Sequence, residues 1–306
     1  TGPRVHMDMP AFAIMLLSLA PTSAAFLPPP TAATTIPGLG AIELRIPVSS
    51  SLTISVLEAD LAAQDALVDE ALDDGTPAGS AAEDPYGMVI WPAAQVVAAE
   101  LVQLLEDGQP CAVLELGAGT GCCSIAAAAS GAVAIATDYR DEPLVLLHTS
   151  MRMTAEHLAL SPDDFTLTTQ RFDITDKSVP LPAINNDMPL IVCAADLLYM
   201  KSTSIALAAR CAEALRLPNT KMVLVGDLGR PGRPAFLKEL LRQGVQSDRA
   251  RFTPVAGWGA PAARHEFIST SPSPSSDGDS SSRGLTSPHE VSVGLLRLTG
   301  ADLMEV

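Results

Sequence analysis

The 306-residue chain is 47% hydrophobic and only 18% charged, and its 35 acidic against 19 basic residues give a formal net charge of −16. That length allows one large domain or two small ones, and so apolar a chain excludes wholesale disorder. Its acidity argues against a broad basic face for nucleic acid. Five cysteines without a C-x-x-C spacing argue against a zinc site or a disulfide framework, and the adjacent Cys122 and Cys123 read as reduced packing residues.

Residues 9–27, MPAFAIMLLSLAPTSAAFL, follow Arg4 and His6 with an apolar run from Ala11 to Ala20 and then small residues. The run is too short to span a bilayer of roughly 30 Å and has the layout of a cleavable signal, so no stable membrane insertion is expected. The junction Ala24-Ala25-Phe26, ahead of Pro28-Pro29-Pro30, resembles the bipartite plastid presequences of algae with secondary plastids. Residues 1–38 are therefore expected to be a targeting presequence with a plastid address. An apolar tail packed on the domain is the alternative, with a cytoplasmic or mitochondrial location.

From residue 39 the chain is readable as structure. Alternation over Ile42–Val48 and Leu52–Leu57 predicts a hairpin across Ser49-Ser50-Ser51. Residues 58–84 are acidic and alanine-rich, which suits an exposed helix and loop, and complete an N-terminal segment over 39–84. Strands are then expected at 111–116, 132–138, 165–172, 189–195, 221–227, 251–256 and 290–298. Helices are expected at 92–107, 120–130, 142–159, 202–216 and 233–244. Unbroken apolar runs such as AVLEL, LIVCAA and MVLVG suit parallel strands covered on both faces. Residues 85–306 thus predict a doubly wound, Rossmann-like α/β domain with seven strands, mostly parallel with an antiparallel last strand. Residues 269–288, STSPSPSSDGDSSSRGLTSP, are of low complexity and are expected to be a disordered insertion between the last two strands.

The chemistry begins after the first long strand. VLELGAGTG, residues 113–121, runs from an apolar strand through Gly117, Gly119 and Gly121 into a helix. Glycines there let the chain turn tightly and bring bare backbone against a ligand, while the helix start offers N–H groups to an anion. A dinucleotide fingerprint would need glycine three residues after Gly119, where Cys122 stands. The remaining pattern, E-x-G-x-G-x-G from Glu115 to Gly121, resembles motif I of the seven-strand S-adenosylmethionine-dependent methyltransferases. The resemblance implies S-adenosyl-L-methionine as cofactor, held by Glu115, Gly117, Ala118, Gly119 and Gly121. Asp138 ends the second strand, where a carboxylate can accept hydrogen bonds from both ribose hydroxyls. Its neighbour Tyr139 joins the same set, and Asp173 falls where the family carries a residue near the adenine amine.

Two further segments narrow the resemblance. Pro85–Ala94, PYGMVIWPAA, puts Trp91-Pro92 at a helix start, with the indole in a position to cover the methionine end of the cofactor. Beyond the fourth strand lies Ala195-Asp196-Leu197-Leu198-Tyr199. G-x-x-x-W-P-A, motif I and D-x-x-Y together resemble the protein lysine methyltransferases that modify chaperones, calmodulin and mitochondrial flavoproteins. Nicotinamide N-methyltransferase-like proteins share part of the pattern. VGDLGRPGRPAF, residues 225–236, looks like the G-D-x-G-R segment of the flavoprotein-directed branch, and is equally a plausible turn. The resemblance spans roughly residues 85–245.

It implies a methyltransferase in which Asp196 and Tyr199 are catalytic and Ala195 lines the cofactor cleft. A carboxylate there can orient an amine and stabilise its developing charge. The expected partner is a basic protein substrate, with a monomer as the default state. A small-molecule amine methyltransferase and a non-catalytic interaction module are the alternatives. Histidines at 6, 148, 157, 265 and 289 have no metal-ligand spacing, so no metal is expected.

Overall fold

Alternating side chains first build a hairpin in the computed structural model, which describes residues 40–66, 85–161, 165–184, 187–255 and 293–304. Strands β1 (Ala41–Pro47) and β2 (Thr53–Ala59) pair antiparallel with Ile46 opposite Ile54. Residues 61–66 are helical. The expected presequence, most of the acidic 58–84 segment and the insertion at 269–288 lie outside the described residues.

The main body alternates strand and helix as expected. Helix α1 (Pro92–Leu105) leads into β3 (Ala112–Leu116), α2 (Cys122–Ala129) and β4 (Val133–Asp138). Next come α3 (Asp141–Leu158), β5 (Leu167–Arg171), β6 (Leu190–Ala195), α4 (Lys201–Leu215), β7 (Thr220–Asp227) and α5 (Arg233–Arg242). The two-residue β8 (Thr253–Pro254) and β9 (Gly294–Leu298) complete the sheet. Its order is β5-β4-β3-β6-β7-β9-β8. The pairs from β5 to β7 are parallel, and β9 runs antiparallel between β7 and β8. Of the described part of the expected strand at 251–256, only Thr253 and Pro254 pair with β9 as a strand, and Val255 N–H adds one hydrogen bond to the Val293 carbonyl (2.9 Å).

The central strands are apolar on both faces because both faces are covered. Val113, Ile191 and Leu224 pack into one cluster with α1, α2, α3 and the hairpin's Ile54 and Val56. Leu114, Val192 and Val225 point the other way, toward Leu207 of α4 and Phe236 of α5. The hairpin is tied down by buried hydroxyls on α3. Leu57 N–H donates to Ser150 Oγ (2.8 Å), and Ser55 exchanges hydrogen bonds with Thr154 Oγ1 (2.9 Å each). This satisfies backbone groups that an edge strand would otherwise expose. Glu58 accepts a hydrogen bond from Ile90 N–H (3.1 Å), which fastens the hairpin to the segment entering α1.

Strand order reverses between β3 and β6, so the loops after them lead off to opposite sides and leave a crevice at the C-terminal strand ends. That crevice is where the predicted site residues converge. All five cysteines are free and buried, and burial pushes the Cys211 thiol up to about 12, consistent with packing rather than reactivity.

Candidate active site

A cavity of about 360 Å³ opens at the ends of β3, β4, β6 and β7. Its glycine-rich wall follows β3. Gly117 and Gly119 hold φ of 64° and 51°, the left-handed region that side chains resist. A Cβ on Gly119 would also stand 2.8 Å from the Gly87 carbonyl oxygen, so the loop and the strap before α1 close on each other through bare backbone. Two carboxylates fix this loop from behind. Asp138 accepts hydrogen bonds from Gly119 N–H (2.9 Å) and Arg140 N–H (3.1 Å). Glu115 accepts from the Ser124 N–H (2.8 Å) and hydroxyl at the first turn of α2. Burial pushes the Glu115 carboxyl above its ordinary value, with the Ser124 hydrogen bonds pulling the other way.

The opposite wall is built from three distant segments. Asp196 follows β6 with a left-handed φ of 59°, a conformation uncommon outside glycine and entered more readily by Asp and Asn than by other side chains. Its N–H donates to the Gly226 carbonyl (2.9 Å), which helps hold the carboxylate toward the cavity. Arg230, after β7, grips that carboxylate with both arms: Nε to Oδ1 at 2.8 Å and Nη2 to Oδ2 at 2.9 Å. The guanidinium carbon also lies 4.8 Å from the centre of the Trp91 ring. Desolvation raises the Asp196 carboxyl from its ordinary value, while the Arg230 hydrogen bonds and charge oppose that rise. Tyr199 sits in the turn before α4 and lines the same wall with Leu197 and Thr203.

Of the residues expected from sequence, Trp91, Glu115, Gly117, Ala118, Gly119, Asp138, Tyr139, Asp173, Ala195, Asp196 and Tyr199 all line this cavity. Gly121 does not. It is the N-cap of α2 at φ 81°, and a Cβ there would stand 2.3 Å from Leu147 side-chain carbons, so its glycine serves helix packing. Asp173 is exposed and spends Oδ1 on the Thr175 N–H (2.8 Å) and hydroxyl (2.7 Å), closing the turn after β5. Trp91 presents its ring to Arg230. Arg230 itself escaped the sequence reading as a site residue. Its only signal was the G-D-x-G-R segment, which says nothing about a partner 34 residues earlier.

Residues 79–243 match the family model described as lysine methyltransferase, just over half of the chain. The chain belongs to that family. It is an S-adenosylmethionine-dependent methyltransferase with a Rossmann-like fold. No match was found among curated proteins. Solved structures with similar folds include magnesium protoporphyrin IX methyltransferase from Synechocystis with bound cofactor, at 15% identity. It covers 67% of this chain and 78% of its own, with a TM-score of 0.37. Another is a TehB-like methyltransferase from Corynebacterium glutamicum, at 12% identity, 61% and 85% coverage and a TM-score of 0.36.

The residues present suit the donor. The cavity falls in the roughly 300–1,000 Å³ range of cofactor sites. The left-handed glycines leave backbone rather than side chains facing it, and Asp138 puts a carboxylate, the group suited to ribose hydroxyls, at the cavity wall. Phe172 and Ile174 add an apolar flank suited to a purine face. Among the described residues no group of His, Cys, Asp and Glu is arranged to hold a metal ion, and no helix is long and apolar enough to cross a membrane.

Proposed function

We propose that the family member methylates the ε-amine of lysine in a protein substrate. The observation that carries this reading is the position of Asp196. Its left-handed backbone puts a buried carboxylate, with Tyr199 close in sequence, in the same cavity as the glycine loop. Bound S-adenosylmethionine supplies an electrophilic methyl on a sulfonium sulfur. The amine must arrive neutral and aligned with that methyl, and the protein's part is chiefly to hold it there.

Arg230 and the Leu228 main chain already hydrogen-bond the Asp196 carboxylate, and the acceptor capacity left over can take an amine N–H. So anchored, the amine nitrogen would keep its lone pair free to face the donor's methyl group. Asp196, already paired with Arg230, would hold the amine through its N–H groups and so align it rather than bind it as a cation. The Tyr199 hydroxyl at the same wall offers a second acceptor. The lysine description of the family and the chain's acidity, which suits a basic protein surface, support the same substrate class.

Asp196→Asn tests this, because Asn tolerates the left-handed backbone and keeps the side chain's shape. The variant is expected to bind the cofactor within about twofold of wild type and to lose methyl transfer by about 100-fold or more, the scale of removing a preorganised charged group. Transfer of labelled methyl to a cell extract reads the outcome. Label on protein lysine that disappears with Asp196→Asn is the expected result. Label confined to the small-molecule fraction would overturn the substrate class.

A further inference from the structure

The acceptor wall already holds a cation. A pocket meant to attract a lysine ammonium would use a free carboxylate and an open aromatic face, the two features that stabilise such a charge. Here both are present and both are engaged by Arg230, through two hydrogen bonds to Asp196 and through stacking over Trp91. Arg230 is the one cation lining the cavity among the described residues. The other titratable groups there are Glu115, Asp138, Tyr139, Asp173, Asp196 and Tyr199.

Its placement is built in. The Asp227 carboxylate, without solvent exposure, accepts hydrogen bonds from Gly229 N–H (2.9 Å) and Arg230 N–H (3.2 and 3.3 Å) and pairs with Arg233. Arg233 is in turn stacked on Phe252, with 4.4 Å to the ring centre. Gly232 leaves no room for a side chain, since a Cβ would stand 2.0 Å from Ser204 Oγ and 2.6 Å from the Leu198 carbonyl. The loop that carries Arg230 is thus locked on both sides. Asp227 is also the second charge felt by Asp196, and it raises the Asp196 carboxyl together with desolvation.

We propose that Arg230 is a specificity-determining positioning residue that makes the acceptor wall select a neutral amine and reject cations. The inference rests on the amine-acceptor reading of Asp196. Paired with Arg230, Asp196 keeps its orientation and part of its hydrogen-bonding capacity but has no net charge to offer. The Trp91 face is likewise spent. An ammonium or quaternary ammonium entering the wall meets a guanidinium instead of a cage, while an uncharged amine still finds acceptors. Two consequences follow for the reaction: a protonated lysine does not compete with its reactive form, and a methylated, cationic product is pushed out.

The test asks for a gain of binding, which mere structural damage does not produce. Tetramethylammonium chloride is titrated into the full chain, followed by calorimetry, with Arg230→Gln, Arg230→Met and Arg230→Lys beside wild type. Cofactor affinity and the melting transition of each variant establish that it is folded. Arg230→Gln and Arg230→Met are expected to bind the probe at least tenfold more tightly than wild type, and Asp196→Asn added to Arg230→Gln should remove the gain. Arg230→Lys, which keeps the charge, should stay as blind to the probe as wild type.

Equal probe affinity in wild type and both neutral variants overturns the proposal. So does a Lys variant that binds as tightly as the Gln variant. The pH profile adds a kinetic readout: wild-type kcat/KM should climb with deprotonation of the amine, whereas Arg230→Gln should show a lowered KM and a lowered kcat at neutral pH. Probe binding does not depend on the natural substrate. A failure of the lysine reading would appear in the extract assay alone.

Discussion

The two walls of the cavity are built on different principles. The donor wall is backbone: left-handed glycines after β3 shaped by two buried carboxylates, Glu115 and Asp138, which accept hydrogen bonds from main-chain N–H groups and, at Glu115, from the Ser124 hydroxyl. The acceptor wall is side chains: Trp91, Asp196 and Arg230 from three separate segments, meeting through a bidentate ion pair and a ring stack. Backbone presents the same surface whatever the neighbouring side chains are, which suits a donor whose chemistry never changes. Side chains can be exchanged one at a time, which suits a surface that has to discriminate between acceptors. Changing the donor wall should therefore be all-or-none, and changing the acceptor wall should be graded.

The largest effect is expected from Gly119→Arg. The backbone there is left-handed and a Cβ already falls 2.8 Å from the Gly87 carbonyl, so the loop must move before any longer side chain is placed. Strain of about 1–3 kcal/mol plus the clash corresponds to a loss of S-adenosylmethionine affinity of about 100-fold or more. Calorimetric titration reads it. Wild-type affinity in a folded variant would mean that the cofactor does not lie on this loop, and the contrast between the walls would fall with it.

The same contrast explains what was legible in the sequence. Glu115 to Gly121 is a contiguous pattern because one strand-to-helix turn does the whole task, and Asp138 is found by its place at the end of the next strand. Even there Gly121 is a packing glycine against Leu147, a distinction that local spacing does not contain. The strands and the covering of β3, β6 and β7 on both faces follow from apolar runs and strand–helix alternation, while the order of the strands in the sheet is not contained in them. Asp196 and Tyr199 are visible as a short box, but the Arg230 contact is not, because no local rule pairs residues across β7. Nor is the docking of the hairpin through Ser150 and Thr154, since hydroxyls in mid-helix carry no positional signal.

An intermediate effect is expected at the acceptor wall's support. Asp227→Asn leaves Arg233 without its carboxylate and weakens the acceptor for Gly229 and Arg230 N–H groups. Breaking a buried pair costs about 3–5 kcal/mol, and the partial exposure of Arg233 moves this case to about 2–3 kcal/mol. Denaturant unfolding measures the loss. Cofactor affinity should stay within about twofold of wild type while kcat/KM falls, because only the wall that holds Arg230 is loosened. If cofactor affinity falls in parallel, the two walls are not separable and the comparison fails.

The smallest effect is a pH dependence on the donor side alone. Of the two described histidines only His148 is buried, on α3 beneath β5, with Nε2 2.7 Å from Thr169 Oγ1. Its Nδ1 has no hydrogen-bond partner among the described residues, and burial lowers its pKa from the ordinary 6.5. A histidine depressed in the folded state supports stability above the unfolded value and withdraws that support as pH falls through the folded one. Wild type should therefore lose stability on acidification from about pH 7.5 to 5.5, with a slope of at most about 1.4 kcal/mol per pH unit from this group. His148→Gln, which can still hydrogen-bond Thr169, should start slightly less stable and lose less over that interval, so the gap between the two melting temperatures narrows. Parallel curves would mean that protonation of His148 is not coupled to folding. Either way, kcat/KM measured at the same pH values should follow deprotonation of the substrate amine rather than His148.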